Sequence, residues 1–520
     1  MLMSLQLIYG PSGSGKSYTL YKKIIEQSIR EPDREFIVIV PEQFTMQTQR
    51  ELVELHPNRG ILNIDVQSFL RLAWRIFEEV GVDTHTVLED TGKNLLLRRV
   101  ASRQKNDLTV LGRNFRKPGY ISQVKSIISE LKQYDVSLEE LDEQLRSGKK
   151  DALSYKLQDI RNLYEGFQEE LQGKYITSEE ILEELCYVVK KSEILKGCVV
   201  ALDGFTGFTP IQNKLLRELM QTAEKIYVTV TLDAWEDPLK KVSMHKLSYL
   251  SKKTIQQLAG AAKECGCMLE NPEVLGKEGS IRFRSAPALR FLERHLFRPG
   301  NQIYEAQDSQ KLERELSLHV ARDAKAEAEF AARTIWHLVR EENLRYRDIA
   351  VITGDMESFG DHMKKELQQK GIPCFIDRTR KLLLNPLVEF LRAALQIAAK
   401  SFRYESVFRY LRTGLAGLKK DEIDRLENYV LANGINSRRR WEEPWDEQEE
   451  PFKEKILPPL LAFVDQVREK DGTVRQKTEA LYYLMVHYGI EQKMQDYREK
   501  FEQEEAYDLA REYEQIYGIV

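Results

Sequence analysis

Eight residues near the start of the chain constrain its fold more than any other stretch. Gly10-Pro11-Ser12-Gly13-Ser14-Gly15-Lys16-Ser17 matches G-x-x-x-x-G-K-[ST] at every position. A short apolar run, Leu5-Gln6-Leu7-Ile8-Tyr9, precedes it, and Leu20, Ile24, Ile25 and Ile29 follow at helical spacing. Strand, glycine-rich loop and helix in that order make a phosphate cradle. Glycines let successive backbone N–H groups turn inward, and the helix N-terminus adds partial positive charge. The pattern places Gly10 to Ser17 around a nucleotide, with Lys16 against the β/γ-phosphates and the Ser17 hydroxyl on Mg²⁺. ATP and Mg²⁺ are the ligands this motif predicts.

The second feature is a missing side chain. A phosphate-loop ATPase needs an acidic residue at the end of a later strand to hold Mg²⁺, usually followed by a Glu that orients the attacking water. The run Cys198-Val199-Val200-Ala201-Leu202-Asp203 reads as that strand, and Asp203 as the metal-side carboxylate. Gly204 stands where the Glu is expected and has no side chain to do the work. The pair predicts a site that binds nucleotide and hydrolyses it slowly or not at all, so no catalytic residue is assigned. The alternative is that another carboxylate, such as Glu42, substitutes in space.

Composition narrows the class. The chain has 520 residues, 42% apolar and 31% charged, with 78 Lys+Arg against 82 Asp+Glu for a formal net charge of −4. Wholesale disorder is excluded, and the length suggests about three to four domains at ~150 residues each. With a pI near 6.2 the chain is no general nucleic-acid coat, so any DNA must bind in a local groove. The mean hydropathy is −0.47, and no apolar run approaches the ~18 residues of a membrane span. The N-terminus lacks a secretory pattern. Five scattered cysteines, Cys186, Cys198, Cys265, Cys267 and Cys374, read as reduced thiols in a cytoplasmic protein. Cys265-Gly266-Cys267 suits no common zinc site, and the histidines form no cluster.

Further strands are expected at Phe36 to Pro41, Ile61 to Val66 and Lys225 to Asp233. From about residue 88 to 190 the periodicity is helical and strand signals are absent. Residues 270–310 read as a polar connector. A new α/β unit starts near Leu316 to Val320, with a helix over 324–339, a strand over 349–352, a helix over 361–369 and a strand over 372–376. Beyond Asn385 the pattern is nearly all helical, apart from a charged loop, Ser437-Arg438-Arg439-Arg440-Trp441-Glu442-Glu443-Pro444-Trp445, whose arginines its own acidic neighbours neutralise. The predicted plan is a first lobe over 1–85 plus 190–300, a helical insertion over 86–189, the start of a second lobe over 301–384 and a second helical insertion over 385–520.

Two α/β units with helical insertions, the first with a phosphate loop, resemble a superfamily-one, UvrD-like helicase with two RecA-like lobes. More specifically, the sequence resembles the N-terminal part of the AddB family, B subunits of bacterial AddAB helicase–nucleases. The resemblance rests on the phosphate loop, Val40-Pro41-Glu42-Gln43-Phe44-Thr45, Ser68-Phe69-Leu70-Arg71-Leu72-Ala73-Trp74-Arg75, Asp203-Gly204-Phe205 with Phe208-Thr209-Pro210, and Asn385-Pro386-Leu387-Val388-Glu389-Phe390. It continues through Arg403-Tyr404-Glu405-Ser406-Val407-Phe408-Arg409 and Leu426-Glu427-Asn428-Tyr429. Active relatives of the superfamily carry D-E-x-Q-D-x-x-x-x-Q. Here Gly204 replaces the Glu and Thr206 the Gln, while Gln212 is kept. Gly354 stands about where related helicases place an arginine aimed at the γ-phosphate.

The resemblance implies a helicase that has lost its motor and uses its cleft to hold single-stranded DNA and read the recombination hotspot Chi. Stacking and Arg contacts supply such a cleft, and the expected reader is Gln43, Thr45, Phe69, Arg71, Trp74 and Phe208. The bland alternative makes Phe69 and Trp74 core residues and Arg71 a surface ion-pair partner. The resemblance also implies double-strand break processing for homologous recombination, an AddA partner in a heterodimer, and contact with double-stranded DNA. It implies a 5′→3′ single-strand exonuclease domain stapled by a [4Fe-4S] cluster. Neither a nuclease carboxylate constellation nor the cluster's cysteine spacing occurs here, so the chain is expected to be a fragment of a little under half a full family member. An active ATP-driven translocase is the competing reading, and a P-loop kinase for a small metabolite a more distant one.

Overall fold

A strand whose neighbours lie on both edges and whose two faces are both covered reads as an unbroken apolar run. Phe36-Ile37-Val38-Ile39 is such a run, and all four residues are fully buried. Their side chains alternate between two cores, as the period of 2 requires. Ile37 and Ile39 join Leu5, Leu7, Val200 and Leu202 on one face, while Phe36 and Val38 join Ile8, Val199 and Ala201 on the other. This is the computed structural model, and it describes residues 3–82, 86–104, 107–115, 117–147, 151–298, 300, 302–305, 308–376 and 382–520. Met1 and Leu2 of the N-terminal reading, and the expected lobe boundaries at 85 and 301, lie outside these residues.

The chain divides into two units, Met1–Leu318 and His319–Val520. The strands of the first are β1 (Ser4–Gly10), β2 (Phe36–Ile39), β3 (Ile64–Gln67), β4 (Thr86–Leu88), β5 (Tyr175–Thr177), β6 (Val199–Leu202), β7 (Lys225–Thr231), β8 (Met268–Leu269) and β9 (Glu273–Val274). The main sheet runs β3-β2-β6-β7-β1-β8, with β9 also on β1. Every pairing in it is parallel. Parallel strands end on one edge, and ligands of such sheets bind beyond that carboxyl edge. The register puts Gly10 beside Thr231, and Ile39 between Gln67 and Leu202. The loops after β1, β2, β3, β6 and β7, distant in sequence, therefore share one rim.

Three helices follow the first strands: α1 (Lys16–Arg30), α2 (Thr45–Leu55) and α3 (Phe69–Val80). Helices Asp90–Arg103, Pro118–Gln133 and Ala152–Leu171 build a separate small core in the expected insertion. Within it the Asp159 carboxylate, wholly buried, accepts the backbone N–H groups of Thr109, Val110 and Leu111 and pins that loop. Two expectations are corrected here. The 88–190 region does contain a strand, β5, paired in parallel with β4. The polar connector holds β9 and a helix, Pro287–His295. Strands of two or three residues are too short to print an alternation in the sequence.

In the second unit, helices Ala324–Arg340 and Met356–Gln369 pack through Ala328, Ala332, Ile335, Met363 and Leu367. The strands expected at 316–320, 349–352 and 372–376 are not formed among the described residues. A strand exists only with a hydrogen-bonded neighbour, and these segments have none, leaving Ile352 and Phe375 at least nine-tenths exposed. The remaining helices close around Phe390 and Tyr410, stacked at 4.6 Å. The charged stretch expected as a loop forms a short helix, Arg438–Glu442. Trp441 and Trp445 are buried in the core, and Arg438 is paired with Glu442 and Asp465. Among the described residues no helix is long and apolar enough to cross a membrane.

Candidate nucleotide and nucleic-acid site

The phosphate loop joins β1 to α1. Gly13 and Gly15 take left-handed φ values of 73° and 89°, which only glycine adopts without strain. The N–H groups of the first turn of α1 have no intrahelical partner by helix geometry, so they are free to face an anion. The Lys16 ammonium donates to the Gly10 and Pro11 carbonyls at 3.1 and 3.0 Å. Burial lowers its pKa, the Arg282 charge adds to that, and Asp203 and Glu293 oppose it. The Ser14 hydroxyl is buried without a partner. An orphaned hydroxyl, two left-handed glycines and a lysine turned onto the loop fit a nucleotide phosphate tail. A segment after β9 packs on this loop. The Arg282 N–H donates to the Gly13 carbonyl at 3.2 Å, and a Cβ on Gly13 would lie 2.6 Å from Ser280 Oγ.

Asp203 follows β6 and is 5% exposed. Its Oδ2 accepts the Tyr21 phenol at 2.7 Å and its Oδ1 the Thr229 hydroxyl. Burial and the Asp203 charge push the Tyr21 phenol far above its usual range, so it stays a donor. A carboxylate has about four lone-pair sites, so with these two donors Asp203 retains acceptor capacity. Gly204 is exposed with φ of 78°. A Cβ there would lie 3.5 Å from Pro41 Cδ and 4.0 Å from Phe44 Cδ2, ordinary contacts, so the backbone conformation, not crowding, penalises other residues. Glu42, the candidate substitute, is paired instead with Arg71 at 2.9 Å.

The six expected reader residues all lie past the ends of β2, β3 and β6, but their environments differ. Gln43 and Arg71 are exposed, and Trp74 is 38% exposed, edge-on to Phe77. Phe69 is 6% exposed and packs against Phe205 and Phe208 at 5.4 and 6.5 Å. Gln43 lies in a short turn after β2 and Thr45 follows it. Thr45 opens α2 as a buried residue, and its hydroxyl donates to the Glu42 carbonyl at 3.0 Å. Phe69 is thus packed in the core, Arg71 is exposed and paired with Glu42, and Trp74 is open to solvent. Phe208 is half-buried and edges a groove of about 800 Å³ that Asn213, Lys214, Arg217 and Lys253 also line.

A family model described as ADDB, N-terminal matches residues 7–293, and one for the UvrD-like helicase C-terminal domain matches residues 284–519. The chain belongs to the AddB N-terminal family. Over its whole length it is 44% identical to the B subunit of an ATP-dependent helicase/deoxyribonuclease from Lachnoclostridium phytofermentans, covering 46% of that protein. Proteins of the same description from Clostridium novyi and Clostridium kluyveri are each 34% identical over all of this chain, which covers 45% and 46% of them. The chain thus spans a little under half the length of the curated relatives it matches.

For this AddB-family chain, sequence reasoning missed Tyr21, Thr229, Ser280 and Arg282. Tyr21 left a signal. It sits in the buried stripe Leu20, Tyr21, Ile24, Ile25 of α1, and a phenol in such a stripe calls for a hydrogen-bond partner. The others left none, because their position depends on which loops the sheet order brings together.

Proposed function

We propose that this chain is the nucleotide- and DNA-binding part of a two-subunit helicase–nuclease that processes broken double-stranded DNA for homologous recombination. Its motor is degenerate. It binds ATP with Mg²⁺ through Gly10 to Ser17 and Asp203, holds single-stranded DNA past the ends of β2, β3 and β6, and reads Chi there. The observation that carries this reading is Gly204. The phosphate-loop sequence is followed by a buried Asp203 after β6, and the next position is a glycine with a left-handed backbone. Ser17 and Asp203 would hold the metal ion, which when bound neutralises phosphate charge. Lys16 would leave the Gly10 and Pro11 carbonyls for the phosphates. The description of the relatives as B subunits of a helicase/deoxyribonuclease supports a partner chain, of the AddA kind, and a nuclease activity in the full-length protein.

Two measurements test the proposal. Single-strand-stimulated ATPase of the chain should be no higher than that of Lys16→Ala, whereas robust turnover lost in that variant would make the chain an active translocase. Arg71→Ala and Trp74→Ala, with folding intact, should weaken single-strand binding and abolish the Chi-dependent attenuation of DNA degradation in the full complex. An unchanged Chi response in both would remove the reader.

A further inference from the structure

Glu42 is the anion paired with the proposed strand-binding cation. Its Oε1 accepts from Arg71 Nε at 2.9 Å, and both side chains are more than half exposed. Each is delivered by an anchored turn. The Phe44 N–H donates to the Pro41 carbonyl at 2.9 Å and the Thr45 hydroxyl to the Glu42 carbonyl, which fixes the turn after β2. The Ser68 hydroxyl accepts the Arg71 N–H at 3.3 Å and fixes the first turn of α3. The pairing is therefore a product of two rigid backbones.

We propose that Glu42 is a specificity-determining residue of the strand-binding face. This rests on the reading that Arg71 contacts DNA. A phosphate meets Arg71 as one negative charge meeting a site already filled by another. Glu42 neutralises the guanidinium and repels the newcomer. A guanine edge differs, because it offers two neutral acceptors that match the guanidinium fork and brings no charge against Glu42. The carboxylate thus counts against sequence-blind phosphate contacts more than against base reading, which is a repulsive element of specificity. Since the pair is exposed, a matching base edge can displace Glu42 without stranding a buried charge. Thr45, buried beneath the turn, is a positioning residue for Glu42.

The test uses the full-length protein, oligodeoxythymidine and a guanine-bearing strand of equal length. Glu42→Gln should tighten oligodeoxythymidine binding by about 2- to 5-fold and narrow the preference for the guanine-bearing strand. It should also steepen the log–log salt dependence by roughly 0.7, the increment for neutralising one more phosphate. All three changes should vanish in the Glu42→Gln/Arg71→Ala double variant. If Arg71→Ala weakens binding but Glu42→Gln leaves affinity, preference and salt slope unchanged, the role of Glu42 is overturned and the DNA-binding reading survives. If Arg71→Ala changes binding of neither strand, both fall. Glu42→Ala should reproduce Glu42→Gln, and opposite shifts in the two would also overturn the proposal.

Discussion

Asp203 and Glu42 stand just past the ends of neighbouring parallel strands, yet they are held in opposite ways. Asp203 is 5% exposed, and two buried hydroxyls, from Tyr21 and Thr229, occupy both of its oxygens. Glu42 is more than half exposed and answers to one guanidinium. A carboxylate enclosed by fixed donors keeps one geometry, which suits the metal-side role proposed for Asp203. A carboxylate in an exposed pair exchanges partners readily, because little is lost when the pair opens. One sheet edge thus carries a rigid carboxylate at the proposed nucleotide site and an adjustable one at the proposed strand-binding face.

The sharpest way to break that contrast is Phe69. It lies on the same helix as Arg71 and Trp74, two residues before one and five before the other, but packs into the aromatic cluster with Phe205 and Phe208. Phe69→Ala should destabilise the first unit by about 3–5 kcal/mol, as expected for truncating a buried aromatic. Trp74→Ala should shift urea unfolding far less while weakening single-strand binding, with stacking worth ~1–3 kcal/mol per base. If Phe69→Ala instead left the unfolding midpoint in place and removed only DNA binding, the rigid part of this edge would be smaller than the packing implies.

The nucleotide end offers the next largest effect. Tyr21→Phe removes the donor on Asp203 Oδ2 and leaves a buried charged oxygen short of a partner. The expected loss is about 1.5–3 kcal/mol of stability, read from urea unfolding, with weaker Mg²⁺-dependent nucleotide binding as a second readout. A silent Tyr21→Phe would mean that the carboxylate is free to turn and that Asp203 is no more fixed than Glu42.

What the sequence disclosed follows from the same distinction. The phosphate loop, the strands around it and Gly204 were legible because their chemistry is local. A glycine at a left-handed position, or an apolar run of four to seven residues, prints itself on the chain. The pairing of Glu42 with Arg71 was not legible, nor the packing of Ser280 and Arg282 on Gly13, because each depends on sheet order. The burial of Thr45 was not legible for a related reason. Just beyond an expected strand it reads as exposed, but the chain turns after Pro41 and buries it at the start of α2. In the second unit, apolar runs at 349–352 and 372–376 carry strand-like composition without forming strands. Composition states a preference, and only a neighbour with free N–H and C=O groups turns it into a strand.

Gly204 gives the smallest effect and the most direct test of the proposed loss of motor activity. Its φ of 78° costs any residue with a Cβ roughly 1–2 kcal/mol. The nearest atom to that Cβ would be Pro41 Cδ at 3.5 Å, an ordinary contact. The penalty is therefore set by the backbone and not by side-chain size. Gly204→Ala and Gly204→Glu should lose the same stability within a few tenths of a kcal/mol, and neither should gain single-strand-stimulated ATPase. A Glu installed there would inherit a left-handed backbone, so restoring the side chain does not restore its aim. Turnover gained by Gly204→Glu and absent from Gly204→Ala would show that the motor lacks one side chain and nothing else. Equal destabilisation without turnover would show that the loop after Asp203 has been rebuilt around the glycine.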